Sequence, residues 1–158
     1  MHCIVLSTES EAFPRCLRPV KGRAALDYLI DDIILQKDIS SISLIADKHS
    51  LPLISKHLKN AFPQLTIPVF KAAPLSSIFS QEDDVLIMQA AVSTSLKLQD
   101  FIRYFKQFKT ITKAAYDKTS PKEIPFILIP KKEFHHVDAI PDTLETHTYN
   151  CGSGYCAL

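Results

Sequence analysis

Short β-branched runs alternate with amphipathic stretches along this chain. Positions 3–7 read as a first strand. Leu26, Leu29, Ile30, Ile33 and Ile34 then recur at helical spacing, with Asp27, Asp31 and Asp32 on the other face. Positions 42–46 read as a second strand, and Leu51, Ile54, Leu58, Ala61 and Phe62 mark a second amphipathic helix ending before Pro63. A short third strand is expected at 66–70. The acidic turn Glu82-Asp83-Asp84 leads into an unbroken apolar run at 85–88, as in a parallel strand buried on both faces. A third helix follows, with Leu98, Phe101, Ile102, Phe105 and Phe108 on one face and Lys97, Arg103 and Lys106 on others. Positions 111–116 and 126–129 read as further strands, whereas 130–150 shows no period and reads as a loop-rich excursion.

Repeated strand–helix–strand units predict an α/β, Rossmann-like domain: a mostly parallel sheet with helices on both faces. No repeat, low-complexity segment or linker divides the chain, so residues 1–158 are expected to form a single domain. Leu6, Leu29, Ile33, Ile45, Leu86, Ile87 and Phe101 are expected to share one core. Ligands of such sheets bind beyond the carboxyl ends of the strands. The segments after Leu6, after Val69-Phe70 and after Met88 are therefore where a site is expected.

Composition narrows this picture in three ways. The net charge of +1 points away from nucleic acid and from an acidic tail. No apolar run reaches the ~18 residues that span a bilayer, and the chain enters its first strand with no basic, apolar leader, so a cytoplasmic location and no membrane partner are expected. Cys3, Cys16, Cys151 and Cys156 then read as small apolar residues and not as a disulfide framework. Glycine is scarce: only Gly22, Gly152 and Gly154 occur, against about eleven at average usage. Few places remain where backbone could wrap a phosphate.

Against this frame the segment from Phe13 to Asp31, FPRCLRPVKGRAALDYLID, resembles the sugar-phosphate nucleotidyltransferases, which read roughly P-K-x-L-x-P-V-x-G-K-P-x-L-D-Y-x-I-D. The run EDDVLIMQAAV at 82–92 is similar to that family's E-D-D-F-L-V-M-N-G-D-V, and Asn150-Cys151-Gly152-Ser153-Gly154-Tyr155 is similar to its N-A-G-I-Y strand. The resemblance implies a GT-A-like nucleotidyltransferase fold. It also implies transfer of a nucleotidyl group from a nucleoside triphosphate to a small phosphorylated acceptor such as a sugar phosphate. That chemistry needs amide donors, a basic side chain and a magnesium ion held by carboxylate.

The functional positions depart from the pattern. Where the family has its Gly-rich phosphate loop this chain reads Leu6-Ser7-Thr8-Glu9-Ser10-Glu11-Ala12, shorter, free of Gly and bearing two carboxylates. The turn that covers base and sugar is replaced by Ala73-Pro74-Leu75-Ser76-Ser77-Ile78-Phe79. The metal-binding Asp aligns with Ala91, and a methyl group is no ligand for magnesium. The phosphate-binding Lys aligns with Arg15. The family also runs well past this point, so the domain is expected to be shortened at its C-terminal end.

The expected function is thus a degenerate, non-catalytic nucleotidyltransferase-like interaction or regulatory module with no cofactor and no catalytic residue. The alternative is an active transferase using magnesium. Weak nucleotide or anion binding would fall to Leu6, Ser7, Arg15, Lys21, Arg23 and Gln89. For Arg15, Arg18, Lys21 and Arg23 an anion corner and a solvated turn both stand open. A strand ending near Leu158 is expected to leave an open edge or apolar surface, and hence self-association or a protein partner there. His135, His136, Asp138, His147, Cys151 and Cys156 lack paired metal-ligand spacing apart from Cys151 and Cys156, and read as loop and strand residues. Ser76, Ser77 and Cys16 have no histidine in a motif context to make them nucleophiles. The Phe101, Phe105 and Phe108 face reads as core packing.

Overall fold

The computed structural model describes residues 1–8, 11–80, 82–94, 96–115, 126–138, 147–151 and 155–157. Four parallel strands build the first half of the sheet: β1 (His2–Ser7), β4 (Ser41–Ala46), β5 (Val69–Lys71) and β6 (Val85–Gln89). A short hairpin, β2 (Pro19–Val20) and β3 (Arg23–Ala24), interrupts them. Its two-residue turn holds Lys21 at φ 48° and Gly22 at φ 85°, the positive dihedrals that tight hairpins need.

The second half adds β8 (Thr112–Ala115), β9 (Phe126–Ile129) and β10 (His147–Asn150), while β7 (Val92–Thr94) and β11 (Tyr155–Ala157) form a separate antiparallel ribbon. The main sheet has the order β10-β8-β9-β6-β1-β4-β5. Only β9 runs against its neighbours, pairing antiparallel with both β6 and β8. The sheet is therefore mostly parallel, and the α/β architecture expected from the sequence is the one observed.

Three helices cover one face: α1 (Ala25–Ile34), α2 (Leu51–Ala61) and α4 (Leu98–Phe108). Their apolar stripes, including Leu26, Ile30, Ile54, Phe101 and Phe105, pack on Cys3, Val5, Leu44, Leu86 and Met88. The opposite face holds Ile4, Ile45, Val85, Ile87, Ile127 and Ile129. It is roofed by the single-turn helix α3 (Leu75–Ile78) and by a 3-10 segment, Lys131–His136, through Leu75, Phe134 and Val137.

Three expectations are corrected here. The predicted single core is two: Leu29, Ile33, Leu86 and Phe101 belong to one layer, Ile45, Ile87 and the partly buried Leu6 to the other. Successive strand residues point to opposite faces, so neighbours in sequence such as Leu86 and Ile87 must separate. The excursion after Ile129 also carries structure that periodicity does not reveal: the 3-10 segment, and β10 in parallel pairing with β8 at the sheet edge. The third strand is shifted toward Val69–Lys71, because Pro68 offers only its carbonyl, to Leu44.

Leu86 is fully buried on the central strand β6, so Leu86→Ala is expected to lower unfolding free energy by about 2–5 kcal/mol. Leu35 is 74% exposed, and Leu35→Ala should stay within about 0.5 kcal/mol of the parent. Urea titration of both variants checks the pair; equal losses would contradict this placement.

Candidate functional site

The carboxyl ends of β1, β4 and β6 meet on one edge. Leu6 lies beside Gln89 in the β1–β6 register, and Ser7 beside Ala46 in the β1–β4 register. Past these ends the backbone ties itself together. The Ala90 amide donates to the Leu6 carbonyl at 2.8 Å and the Ala72 amide to that of Ala46 at 2.8 Å. The Asp47 amide approaches the Ser7 carbonyl at 3.4 Å. Ala91 is a half-buried bend between β6 and β7.

A 3-10 turn, Arg15–Leu17, leans on the same edge. Cys16 is fully buried, with its Sγ 3.4 Å from the Ser7 Oγ, and its packing fixes the backbone on which Arg15 and Arg18 stand. The Glu11 carboxylate joins both: Oε1 accepts from the Arg15 Nε at 2.6 Å and Oε2 from an Arg18 Nη at 2.9 Å. Of the two carboxylates predicted for this loop, Glu9 lies outside the described residues, while Glu11 turns back onto the chain's own arginines.

The remaining basic candidates point elsewhere. Arg23 donates to Asp31 at 2.9 Å, lies 4.0 Å from the Asp27 carboxylate and stacks over the Tyr28 ring. The Asp31 hydrogen bond holds its guanidinium above the ordinary range. Lys21 is exposed at the hairpin tip. The structure thus gathers Leu6, Ser7, Gln89 and Ala91 on one edge, with Arg15 on the adjoining turn, and leaves Arg23 committed to α1.

Two acidic residues organise this part of the molecule: Asp47, which the sequence analysis does not single out, and Asp138, which it reads only as a loop residue. Asp47 follows β4, and its Oδ1 accepts from the His49 and Ser50 amides at 2.7 and 3.3 Å, shaping the turn into α2. An Asp followed by Ser and Pro at a helix start is a readable local signal. Asp138 caps α3 from 63 residues away: its carboxylate accepts from the Leu75 amide at 2.5 Å, the Ser76 amide at 3.2 Å and the Ser76 hydroxyl. No local pattern announces such a contact. The segment predicted to replace a base-covering turn is therefore a helical turn pinned to the roof of the second core.

The described residues do not suit the magnesium ion that the resemblance implies. Ala91 presents a methyl group just past the end of β6, and Asp47 commits Oδ1 to the turn into α2, leaving its buried Oδ2, without a hydrogen-bond partner, as a lone carboxylate oxygen. Among the described residues no three of His, Cys, Asp and Glu gather as a metal-holding group. Thiol chemistry has no foothold in β1, where burial pushes the Cys3 thiol strongly upward. No described helix is long and apolar enough to cross a membrane.

No protein-family model matches the chain, and no curated protein matches it. Solved structures do. A Bacillus anthracis protein described as a glucose-1-phosphate thymidylyltransferase, in complex with sucrose, superposes with TM-score 0.73 at 12% identity, over 98% of this chain and 88% of that one. HddC from Yersinia pseudotuberculosis, complexed with GMP-PN, gives TM-score 0.73 at 9% identity over 99% and 92%. The 4-diphosphocytidyl-2C-methyl-D-erythritol synthase of Anaerococcus prevotii gives 0.67 at 12% over 99% and 91%. The chain therefore has a nucleotidyltransferase-like, GT-A-like fold. At these identities the likeness is one of fold.

Removing the Asp138 carboxylate leaves the first amides of α3 without their acceptor. Asp138→Ala is expected to cost about 1–2 kcal/mol of stability, with Asp138→Asn recovering part of it. Chemical denaturation of the two variants measures this; an unchanged midpoint for Asp138→Ala would show the contact to be incidental.

Proposed function

We propose that this chain is a nucleotidyltransferase-fold module that works by binding and does not transfer nucleotidyl groups. The observation that carries the reading is Ala91. The strand β6 delivers its carboxyl end to the ligand edge and offers a methyl group there, where phosphoryl chemistry calls for a carboxylate to hold a divalent ion. The Gly-free segment after Ser7 and the Glu11 carboxylate on Arg15 and Arg18 support the same reading, since both work against seating a triphosphate. Binding then falls to surfaces outside the nucleotide edge. The surface beside β11, paired on one side with β7, is the proposed place of self-association or of a protein partner, a two-stranded ribbon being an edge that other strands can extend.

Thermal or chemical unfolding with each nucleoside triphosphate, with and without magnesium, tests the non-catalytic reading. No magnesium-dependent stabilisation is expected, whereas a ligand at 100 times its dissociation constant would add about 2.7 kcal/mol. A clear magnesium-dependent rise would contradict it and favour an active transferase. Ala91→Asp alone should create no activity. Light scattering from micromolar to high micromolar concentration tests assembly: rising mass is expected, and a monomer throughout would contradict self-association.

A further inference from the structure

The amino-terminal ends of the same strands carry polar groups where the pleat calls for apolar ones. His2 lies beside Ser41 and Val85 in the register of β1 with β4 and β6, on the face that Ile4 and Ile45 continue as the second core. The roof there is thin, since α3 is a single turn, and a cavity of about 390 Å³ opens beside it. His2, Ser41 and Val85 line it from the sheet, and Phe79, Glu82 and Asp83 from the connection between α3 and β6. The His2 ring packs on the Phe79 ring at 5.2 Å between centroids, and its Nδ1 shares a hydrogen bond with the Ser41 hydroxyl at 2.5 Å. Its Nε2 is buried and has no hydrogen-bond partner among the described residues, a condition that folded chains rarely leave unmet. Burial, and then the Met1 ammonium, push the His2 pKa below its ordinary value, so the ring is neutral at pH 7. Where Nδ1–H donates to Ser41, Nε2 presents a lone pair.

We propose that this cavity is a binding site for a small aliphatic amine or guanidine. The Met1 ammonium is taken up by Asp83, whose other oxygen accepts from the Asp84 amide at 2.8 Å. Glu82 is exposed and forms no ion pair among the described residues, so one carboxylate charge remains for a ligand. An ammonium or guanidinium group brings several N–H donors to that carboxylate, to the Ser41 hydroxyl and to the unpartnered His2 nitrogen. The Phe79 ring attracts a cation electrostatically, and with Val85 it gives a short alkyl stem an apolar surface. An anion would meet two carboxylates here, and an uncharged alcohol would leave the Glu82 charge without a partner.

The site lies at the opposite end of β1, β4 and β6 from the nucleotide edge. It therefore does not rest on the reading of that edge, and its test uses neither nucleotide nor magnesium. The chain is prepared with nothing ahead of Met1, because the Met1 ammonium is held by Asp83 in the cavity wall. Putrescine, agmatine and the uncharged 1,4-butanediol are titrated calorimetrically at low ionic strength into the parent, Glu82→Gln and Asp100→Asn, the last an equal charge change on α4. The two amines are expected to bind the parent with dissociation constants below about 1 mM, and the diol not to bind. Glu82→Gln should weaken both amines at least about tenfold, while Asp100→Asn leaves them unchanged. Amide NMR of the parent needs no variant, and its shifts should centre on His2, Ser41 and Phe79. No saturable binding of either amine, equal binding of the diol, equal losses in the two variants, or shifts centred elsewhere would overturn the proposal.

Discussion

Parallel pairing of β1 with β4 on one side and β6 on the other is the constraint from which the rest of the molecule follows. Cys3, Ile4 and Val5 are fully buried, so β1 is covered on both faces as well as paired on both edges. A strand in that position fixes the register of its neighbours, since a one-residue slip would exchange the two apolar layers. It also fixes direction: β1, β4 and β6 must end on the same edge. That edge is where Leu6, Ser7, Asp47, Gln89 and Ala91 come together, although 85 residues separate the first from the last.

The two faces are closed by different means. α1, α2 and α4 lay continuous apolar stripes on one, and such stripes make helices stable by burial more than by propensity. The other face relies on one helical turn and a 3-10 segment, with Leu75, Phe134 and Val137 as its roof and Asp138 as the clasp between them. This thinner cover places an acidic cap and a hydroxyl, Ser76, where the sequence suggested only a substitute for a ligand-covering turn. On the strand-end edge the chain meets many of its own hydrogen-bonding needs, through Leu6 with Ala90, Ser7 with Cys16, and Glu11 with two arginines.

The strands and helices with clear periodicity were legible: Leu26 to Ile33 on α1, the apolar run of β6, and the phenylalanine face of α4. Their information is local, so a single sequence suffices. β9 was legible as a strand but not as the antiparallel one, because direction shows only in its pairing with β6 and β8 and not in the apolar run Phe126–Ile129 itself. β10 was missed since His147-Thr148-Tyr149-Asn150 alternates weakly and gains its place by pairing with β8. Of the candidate positions, Leu6, Ser7 and Gln89 lie at strand ends that the apolar runs mark, whereas Ala91 is singled out by the family resemblance. The partners of Arg15, Arg23 and Ser76 were not legible, because Glu11, Asp31 and Asp138 are chosen by the fold and not by spacing.

We propose that the strand-end edge, despite the nucleotidyltransferase-like fold, does not seat a magnesium–nucleotide complex. Backbone amide NMR reads that edge directly. Titration of the labelled chain with magnesium and each nucleoside triphosphate should leave the Ser7, Asp47 and Ala91 resonances in place. Saturable shifts converging on those three amides, and absent when magnesium is withheld, would contradict the account.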